Sequence, residues 1–323
     1  MFETTDFHDA PSGARLAFHH APAEGTPRAI LIVNHGLVEH SGRYRGFAGA
    51  MAARGFAVYA HDHRGHGETI AEGAPLGRFA PAGGVEKVIA DVRAMRDLAV
   101  SRHGALPVLL FGHSMGGLIA LNAAVSHPQD FQALAVWNSN FNPGIAGRFA
   151  QAVLFAEQML KGSDVPSTIL PLATFRAWGR SIPGRQSDSD WLSRDRAEVE
   201  KYDGDPLCRF EASVSMWRDV FALTFRAPAP AMLARLPKNL PIHLVGGGKD
   251  PATRGGREIA WLGRRLERHG FTDVTTRIYD EMRHETLNEF GRQEAIADFA
   301  AWAERALAGH RSSVATASAS ETE

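Results

Sequence analysis

The sequence contains a single cysteine, Cys208, among 323 residues. One thiol cannot form an internal disulfide, and such a low cysteine content is typical of proteins in a reducing compartment. The chain also lacks an excess of one charge, because 35 lysines and arginines stand against 36 aspartates and glutamates. Nothing in this balance indicates a nucleic acid or an anionic membrane as a partner. We therefore expect a cytoplasmic protein that does not bind nucleic acid.

Long apolar runs are missing too. No uninterrupted stretch approaches the roughly 20 residues that a membrane-spanning helix needs. The first 20 residues carry acidic side chains and no basic segment followed by an apolar one, so we expect no secretory signal. What the chain does have is 44% hydrophobic and 22% charged residues, the composition of an ordinary globular protein with a large core.

The first 140 residues alternate between strand and helix patterns. The near-continuous apolar run at 28–35 is typical of a strand that is buried on both faces. Further strands are predicted at 56–61, 106–112 and 133–138, and helices at 84–103 and 115–126. Strands that alternate with helices form parallel sheets. We predict an α/β fold, with a mostly parallel sheet and helices on both faces.

This alternation is interrupted once. Residues 142–237 show helical spacings broken by prolines and contain no convincing strand, and strand and helix patterns then resume. Two further strands are predicted at 240–248 and 274–280, and two helices at 254–269 and 288–308. The sequence therefore predicts a core formed by 1–141 and 238–310, a helical insertion at 142–237 and, from its small polar residues, a disordered tail at 311–323.

Residues 110–118 carry a G-x-S-x-G pattern formed by Gly112, Ser114 and Gly116. The pattern alone is a weak signal, but here a predicted strand precedes it and a predicted helix follows it. A sharp strand-to-helix turn needs glycines, since side chains beside the serine would collide with neighbouring backbone. Such a turn exposes the hydroxyl of Ser114 and directs the N–H of Met115 at a developing oxyanion. Ser114 is the predicted nucleophile.

A serine nucleophile on this scaffold is followed in the chain by an acid and then by a histidine. Asp250 follows the strand at 240–248, and His284 follows the strand at 274–280, so both belong to the sheet edge of Ser114. In this hypothesis Asp250 accepts the Nδ1 proton of His284, and Nε2 accepts the proton of Ser114. Asp273 and Asp280 are less well placed as the acid, and His113 cannot easily turn back onto the hydroxyl.

Six spaced motifs, in order along residues 10–308, resemble the monoacylglycerol lipase and lysophospholipase group of α/β-hydrolases. They are NHGLVEHSGRY (34–44), DHRGHG (62–67), GHSMGG (112–117), KYDGDPLC (201–208), GKDP (248–251) and RHETLNE (283–289). The resemblance implies an α/β-hydrolase fold and no metal or organic cofactor. It also implies that Leu37 supplies a second oxyanion N–H beside Met115, that Glu39 orders this loop, and that the insertion is a cap over an acyl-binding tunnel.

The chain departs from the pattern of the group in three places. Val38 stands where the group has a glycine in the oxyanion loop, which could change the shape of that loop. A serine that usually follows DHRGHG is replaced by Glu68 and Thr69. The strand after the nucleophile helix ends in a polar segment at 137–142, which favours a more polar pocket floor. These departures concern the substrate and not the chemistry.

Three other classes of function are alternatives to this hypothesis. His61, His63 and His66 superficially resemble a metal cluster, which would make the protein a chelator-sensitive metallohydrolase. Residues 246–250 resemble a phosphate loop, but no serine or threonine follows the lysine. A non-catalytic binding protein on the same fold is the third alternative, and reaction with a fluorophosphonate would argue against it.

The insertion carries two apolar clusters, in which Phe149, Met216, Trp217 and Phe221 are candidates for an acyl-binding pocket. The broad apolar face at 145–160 could pack on the sheet and also contact a membrane or micelle surface transiently. We expect a carboxylic ester hydrolase that acts on monoacylglycerols or lysophospholipids. A short-chain esterase, a thioesterase and an aminopeptidase are the alternatives on the same triad. Acyl length, head group, cap mobility and oligomeric state are left open.

Overall fold

A computed structural model describes the backbone of residues 2–320 and the side chains of residues 2–309. The described part contains a nine-stranded sheet. Its strands are β1 (Asp6–Asp9), β2 (Ala14–Ala21), β3 (Ala29–Asn34), β4 (Phe56–His61), β5 (Ile70–Ala71), β6 (Val108–His113), β7 (Ala133–Trp137), β8 (Ile242–Gly247) and β9 (Val274–Tyr279). The order in space is β1-β2-β4-β3-β6-β7-β8-β9, and β5 pairs with β2. The pairs that involve β2 are antiparallel. The remaining strands, β4, β3, β6, β7, β8 and β9 in spatial order, are parallel to one another.

Every residue of β3, β4, β6, β7 and β8 is buried. Helices cover both faces of these strands, which explains their continuous apolar sequences. One face packs against α1 (Arg45–Ala52) and α11 (Arg292–Ser320). The other packs against α2 (Gly84–His103), α3 (Met115–Ser126) and α10 (Arg257–Arg268). The structure thus confirms the predicted mostly parallel sheet with helices on both faces.

The segment between β7 and β8 is helical. It contains α4 (Gly144–Lys161), α5 (Leu170–Ala173), α6 (Phe175–Arg180), α7 (Arg196–Gly204), a 3₁₀ turn (Pro206–Cys208), α8 (Val214–Arg226) and α9 (Pro230–Leu233). Helix α8 joins the insertion to the core, since Asn122 of α3 donates a hydrogen bond to the carbonyl of Leu223 at 2.8 Å. Within the described residues, no helix is long and apolar enough to span a membrane.

The C-terminal end of the chain is only partly described. The tail at 311–323 is predicted to be disordered; in the structure the backbone of α11 continues to Ser320. Residues 321–323 lie outside the described residues.

The parallel strands bring five loops to one edge of the sheet. The loops after β3, β6, β7, β8 and β9 all leave the carboxyl ends of adjacent strands. Backbone bonds hold these ends in register: the N–H of Ser114 donates to Trp137, and that of Asn138 donates to Val245. In an open α/β sheet this edge is where ligands bind.

Candidate active site

Ser114 occupies the sharp turn between β6 and α3, with φ 55° and ψ −120°. Two glycines make this turn possible. A Cβ on Gly112 would lie 2.1 Å from the carbonyl oxygen of Gly116, and one on Gly116 would lie 2.1 Å from that of Asn34. Real atoms cannot approach so closely, so both positions require glycine, as the sequence pattern predicts.

The three predicted triad residues lie together although they are far apart in sequence. His284 Nε2 lies 2.9 Å from Ser114 Oγ, and His284 Nδ1 lies 2.9 Å from Asp250 Oδ2. Asp250 and His284 are buried, whereas Ser114 is partly exposed. The order and spacing are those of a nucleophile, a base and an orienting acid.

Asp250 is held as a carboxylate by several donors. Its oxygens accept hydrogen bonds from the N–H of Ala252 at 2.9 Å, the hydroxyl of Thr253 at 2.7 Å and the amide of Asn138 at 3.3 Å. Burial alone would raise the pKa of Asp250, but the charge of His284 and these donors hold it below its ordinary value. Asp250 therefore stays ionised and can accept a hydrogen bond from an Nδ1–H of His284.

Leu37 and Met115 follow β3 and Ser114, respectively. Within the described residues neither N–H has a hydrogen-bond acceptor in the protein. Met115 begins α3, where helical N–H groups lack an intrahelical partner. The backbone between β3 and Leu37 also lies close to the nucleophile, since a Cβ on Gly36 would lie 3.2 Å from Cβ of Ser114. Two unpaired donors beside a hydroxyl form an arrangement that can bind an oxyanion.

Glu39 anchors the oxyanion loop, residues 35–40. Its carboxylate accepts hydrogen bonds from the N–H of Gly36, from the hydroxyl of Tyr44 at 2.9 Å and from Arg43 at 2.7 Å. Arg43 in turn makes two bonds to Glu285, next to His284. This network ties the loop to the segment of the histidine.

His113 lies behind the triad rather than against the hydroxyl, as the sequence analysis expects. Its Nε2 lies 3.0 Å from the carbonyl oxygen of His284, and its Nδ1 lies 3.4 Å from Glu39. Burial lowers the pKa of His113, but the bond and charge of Glu39 outweigh it and the net shift is upward. Burial would likewise raise the pKa of Glu39, yet His113 and Arg43 hold it well below its ordinary range.

Val38 adopts the left-handed conformation expected of the glycine that it replaces. Its φ is 59°, which costs a β-branched residue about 1–3 kcal/mol. The hydroxyl of Tyr202, in the insertion, donates to the carbonyl of Val38 at 3.0 Å. The insertion therefore supports the loop at its residue of strained backbone.

The histidines of the possible metal motif are buried but do not converge. Among the described residues, the ligand atoms of His61, His63 and His66 do not come close enough to hold one ion. Both ring nitrogens of His61 and of His63 lack a hydrogen-bond partner. The rings instead pack on one another and on His35, with centroids 4.4–6.4 Å apart. Their geometry therefore gives no support to a metallohydrolase.

This packing of imidazoles makes the fold sensitive to acid. Burial, reinforced by the neighbouring His35, lowers the pKa of His61 and of His66 to about 3 and that of His63 well below its ordinary value. In the unfolded chain these side chains titrate near pH 6.5. Below that pH the unfolded state binds more protons than the folded state, so stability falls as pH falls.

We therefore expect the free energy of unfolding to fall between about pH 7 and pH 5, by up to about 1.4 kcal/mol per pH unit for each such histidine. Denaturant unfolding at a series of pH values measures this slope. His61→Gln removes one titrating group, so its slope should be shallower by about one proton whatever its absolute stability. An unchanged slope in this variant would contradict the explanation.

The four predicted pocket residues lie at different depths of the insertion. Phe149 of α4 is 70% exposed, and Phe221 of α8 is half-buried and stacks on Phe225. Met216 and Trp217 are buried in the main core. The structure thus does not gather these four side chains around Ser114.

The insertion contacts His284 of the triad through an aromatic residue, Trp191, that was not predicted from the sequence. The ring centroid of Trp191 lies 4.7 Å from that of His284. Phe175 stacks on Trp191 with the ring centroids 5.7 Å apart, and the centroid of Trp217 lies 5.6 Å from that of Phe175. The rings of Phe175 and Trp191 therefore separate Trp217 from His284. No local signal marks Trp191, because its role depends on how the insertion folds back.

Asn138 and Thr253 are also missed. Asn138 could have been found from its position directly after β7, between the strands that precede Ser114 and Asp250. Thr253 follows Asp250 by three residues and would pass for an ordinary turn residue.

A cavity of about 960 Å³, lined by both charged and apolar side chains, lies beside the Glu39 network. It is lined by both the oxyanion loop and the insertion. Its lining includes Glu39, His40, Arg43, His113, Asp205 and Glu285.

A family model described as serine aminopeptidase, S33, matches residues 25–291, most of the chain. The chain belongs to the serine aminopeptidase S33 family. It is 28% identical over 295 residues to a monoacylglycerol lipase of Mycolicibacterium smegmatis, an alignment that covers 90% of this chain and 93% of the relative. It is 32% identical over 231 residues to the monoglyceride lipase of Homo sapiens, an alignment that covers 70% of this chain and 66% of the relative.

A solved structure shares the fold. A carboxyl esterase from Bacillus coagulans superposes with a TM-score of 0.85 at 22% identity, over 94% of this chain and 98% of that one, which is a likeness of fold. The comparisons together confirm the α/β-hydrolase fold, the resemblance to the monoacylglycerol lipase group and the predicted enzyme class, a carboxylic ester hydrolase.

Proposed function

We propose that this S33 hydrolase cleaves monoacylglycerols or lysophospholipids through an acyl-enzyme on Ser114. The observation that carries the proposal is the chain of two 2.9 Å contacts from Ser114 through His284 to Asp250. The similarity to monoacylglycerol lipases along most of the chain supports the choice of substrate.

In the proposed reaction His284 Nε2 accepts the proton of Ser114 as Oγ attacks the ester carbonyl. The imidazolium that forms is stabilised by the ionised Asp250, and the N–H groups of Leu37 and Met115 donate to the oxyanion. His284 then returns the proton to the leaving alcohol. Water, activated by the same imidazole, hydrolyses the acyl-enzyme and releases the fatty acid.

The acyl chain would lie against the aromatic side chains of the insertion. Trp191 is the ring nearest to His284, and Phe175 and Trp217 continue from it. Of the other predicted pocket residues, the half-buried Phe221 would form the outer part of this wall, whereas Met216 is fully buried in the core and Phe149 is exposed. An apolar wall stabilises bound substrate by about 0.8 kcal/mol for each buried methylene.

A panel of esters tests the substrate class. We expect kcat/KM to rise from C2 to medium-chain p-nitrophenyl esters, and to be high with monoacylglycerol or lysophosphatidylcholine. An aminoacyl p-nitroanilide is the matched amide substrate, and we expect no turnover of it. Preference for the anilide, or for C2 over all longer esters, would contradict the proposal.

The insertion would also meet the surface of the lipid. Large apolar side chains are exposed on α4 and just beyond it: Ile145, Phe149, Phe155, Met159, Leu160, Ile169 and Leu172. A concentrated apolar surface of this kind fits transient contact with a micelle or membrane. A peripheral membrane contact and a cytoplasmic location are both parts of this proposal.

Phe149→Ser should lower turnover of micellar long-chain substrate by about 5–30-fold, since the lost burial is worth about 1–2 kcal/mol. Turnover of monomeric C2 ester and the Tm should stay unchanged, because this side chain is 70% exposed. Phe221→Ser, at a half-buried position, tests the wall in the same assay, with losses that grow with acyl length.

The matched control is Ile70→Ser on β5, which removes a side chain that is 63% exposed outside the insertion. It should leave both substrates unaffected. Equal losses on C2 and long-chain substrates in Phe149→Ser would assign Phe149 a role other than lipid contact.

A further inference from the structure

Three side chains with metal-binding atoms converge outside the triad: His40, Asp205 and Cys208. His40 ends the oxyanion loop, whereas Asp205 and Cys208 flank the 3₁₀ turn of the insertion, 165 residues away from His40 in the case of Asp205. His40 Nε2 lies 2.9 Å from Asp205 Oδ2, and the three ligand atoms all lie within 4.8 Å of one another. The triad uses none of them.

The spacing is close to that of a tetrahedral site. With ordinary zinc–nitrogen, zinc–oxygen and zinc–sulfur bonds, two ligand atoms lie about 3.3–3.6 Å apart. The nitrogen and oxygen of this cluster, 2.9 Å apart, are slightly closer than that, and the sulfur, within 4.8 Å of both, needs to move by at most about 1.5 Å to join them. A small side-chain rotation therefore completes the geometry.

The surroundings of Asp205 and of Cys208 favour a role as metal ligands. The second carboxylate oxygen of Asp205 accepts the N–H of Leu207 at 2.9 Å, which fixes the carboxylate at the start of the turn. Cys208 is 5% exposed, and no hydrogen bond to its thiol is found within the described residues. An unpaired buried thiol beside an imidazole and a carboxylate is a strong ligand set for a thiophilic cation.

The surroundings allow a cation to enter. His40 and Asp205 both line the cavity of about 960 Å³, so an ion can reach them from solvent and keep a water molecule as a further ligand. The nearby Arg43 is the main opposing charge, and Glu39 and Glu285 neutralise it through hydrogen-bonded ion pairs. The cavity lining as a whole is balanced, with four basic side chains (Arg43, Arg45, Lys201, Arg292) and four acidic ones (Glu39, Glu198, Asp205, Glu285), so the attraction for a cation comes from the three ligands themselves.

We propose that His40, Asp205 and Cys208 form a binding site for a thiophilic divalent cation, Zn²⁺ or Cd²⁺. On binding, the His40–Asp205 hydrogen bond is replaced by bonds from Nε2, the carboxylate and Sγ to the ion; the imidazole takes the tautomer with its proton on Nδ1, and the thiol proton passes to solvent. The ion cross-links the oxyanion loop to the insertion, so its binding stabilises the fold.

A titration of the whole protein with Cd²⁺ tests the site, because thiolate coordination gives an ultraviolet charge-transfer band. The chain has one cysteine, so such a band can arise only from Cys208. We expect the band to saturate at one equivalent of Cd²⁺ in the wild type and to be absent in Cys208→Ser. Saturating Zn²⁺ should raise the Tm of the wild type and not that of this variant.

His40→Gln and Asp205→Asn keep the thiol and separate a built site from a lone cysteine. Each should weaken Cd²⁺ binding by about tenfold or more. His269→Gln, at the end of α10, is the control and should bind as the wild type does. Absence of the band at stoichiometric Cd²⁺, or equal affinity in the His40 and Asp205 variants, would overturn the proposal. These measurements do not depend on catalytic activity.

Discussion

Ser114→Ala should lower kcat/KM on any ester by about 10⁴-fold or more, as loss of a triad nucleophile does elsewhere. The fold should survive, because the side chain is partly exposed and its hydroxyl bonds to His284 alone among the described side chains. We expect the Tm to stay within about 1–2 °C of the wild type. Steady-state kinetics and a thermal melt on the same preparation measure both effects.

Labelling by a fluorophosphonate should disappear in this variant, since the probe reacts only with an activated serine hydroxyl. Ser101→Ala removes an exposed hydroxyl from α2 and is the matched control. It should retain full activity and full labelling. Activity above about a tenth of wild type in Ser114→Ala would exclude Ser114 as the nucleophile.

Asp250→Asn should lower kcat by about 10⁴-fold. An amide at this position donates where the carboxylate accepts, so it stabilises the imidazole tautomer whose Nε2 carries the proton and cannot act as a base. The amide oxygen can still accept the N–H of Ala252, which favours an intact fold. Circular dichroism and the Tm establish folding, and kcat with a medium-chain ester measures the loss.

Asp273→Asn and Asp280→Asn are the controls for this prediction. Both carboxylates are exposed and lie at the two ends of β9, close in sequence to the triad segments. Each variant should keep activity near that of the wild type. If either were inactivating while Asp250→Asn retained turnover, the acid would have to be reassigned.

The parallel part of the sheet could be predicted because its strands are buried on both faces. The apolar runs predicted at 28–35 and 56–61 match β3 and β4 closely. The two N-terminal strands were missed. β1 is four residues long and mostly exposed, and β2 mixes Arg15, His19 and His20 into its apolar positions. These strands form because β2 can pair with β4 and β1 with β2, conditions that are not local.

In the insertion, the pattern of apolar residues predicts which side chains are buried but not what they pack against. The cluster around Met216 and Trp217 predicts a buried face correctly, but the same stripe suits a pocket wall and a helix packed on the core. In the structure α8 packs on α3, and both residues belong to the main core. Only Trp217 connects onward to the triad, through Phe175 and Trp191.

The sequence by itself determined the features that depend on neighbours in the chain. Burial periodicity marked the central strands, and the need for a Cβ-free backbone marked Gly112 and Gly116 around Ser114. The positions of Asp250 and His284 followed from parallel strands that present their carboxyl ends at one edge.

The tertiary structure alone decided the contacts between segments more than a hundred residues apart. Asn138 meets Asp250, Tyr202 supports the left-handed Val38, and His40 meets Asp205. These contacts depend on the register of the whole sheet and on the path by which the insertion returns to it. Local sterics and hydrophobic periodicity carry no information about either, because both are set by packing among elements that are distant in sequence.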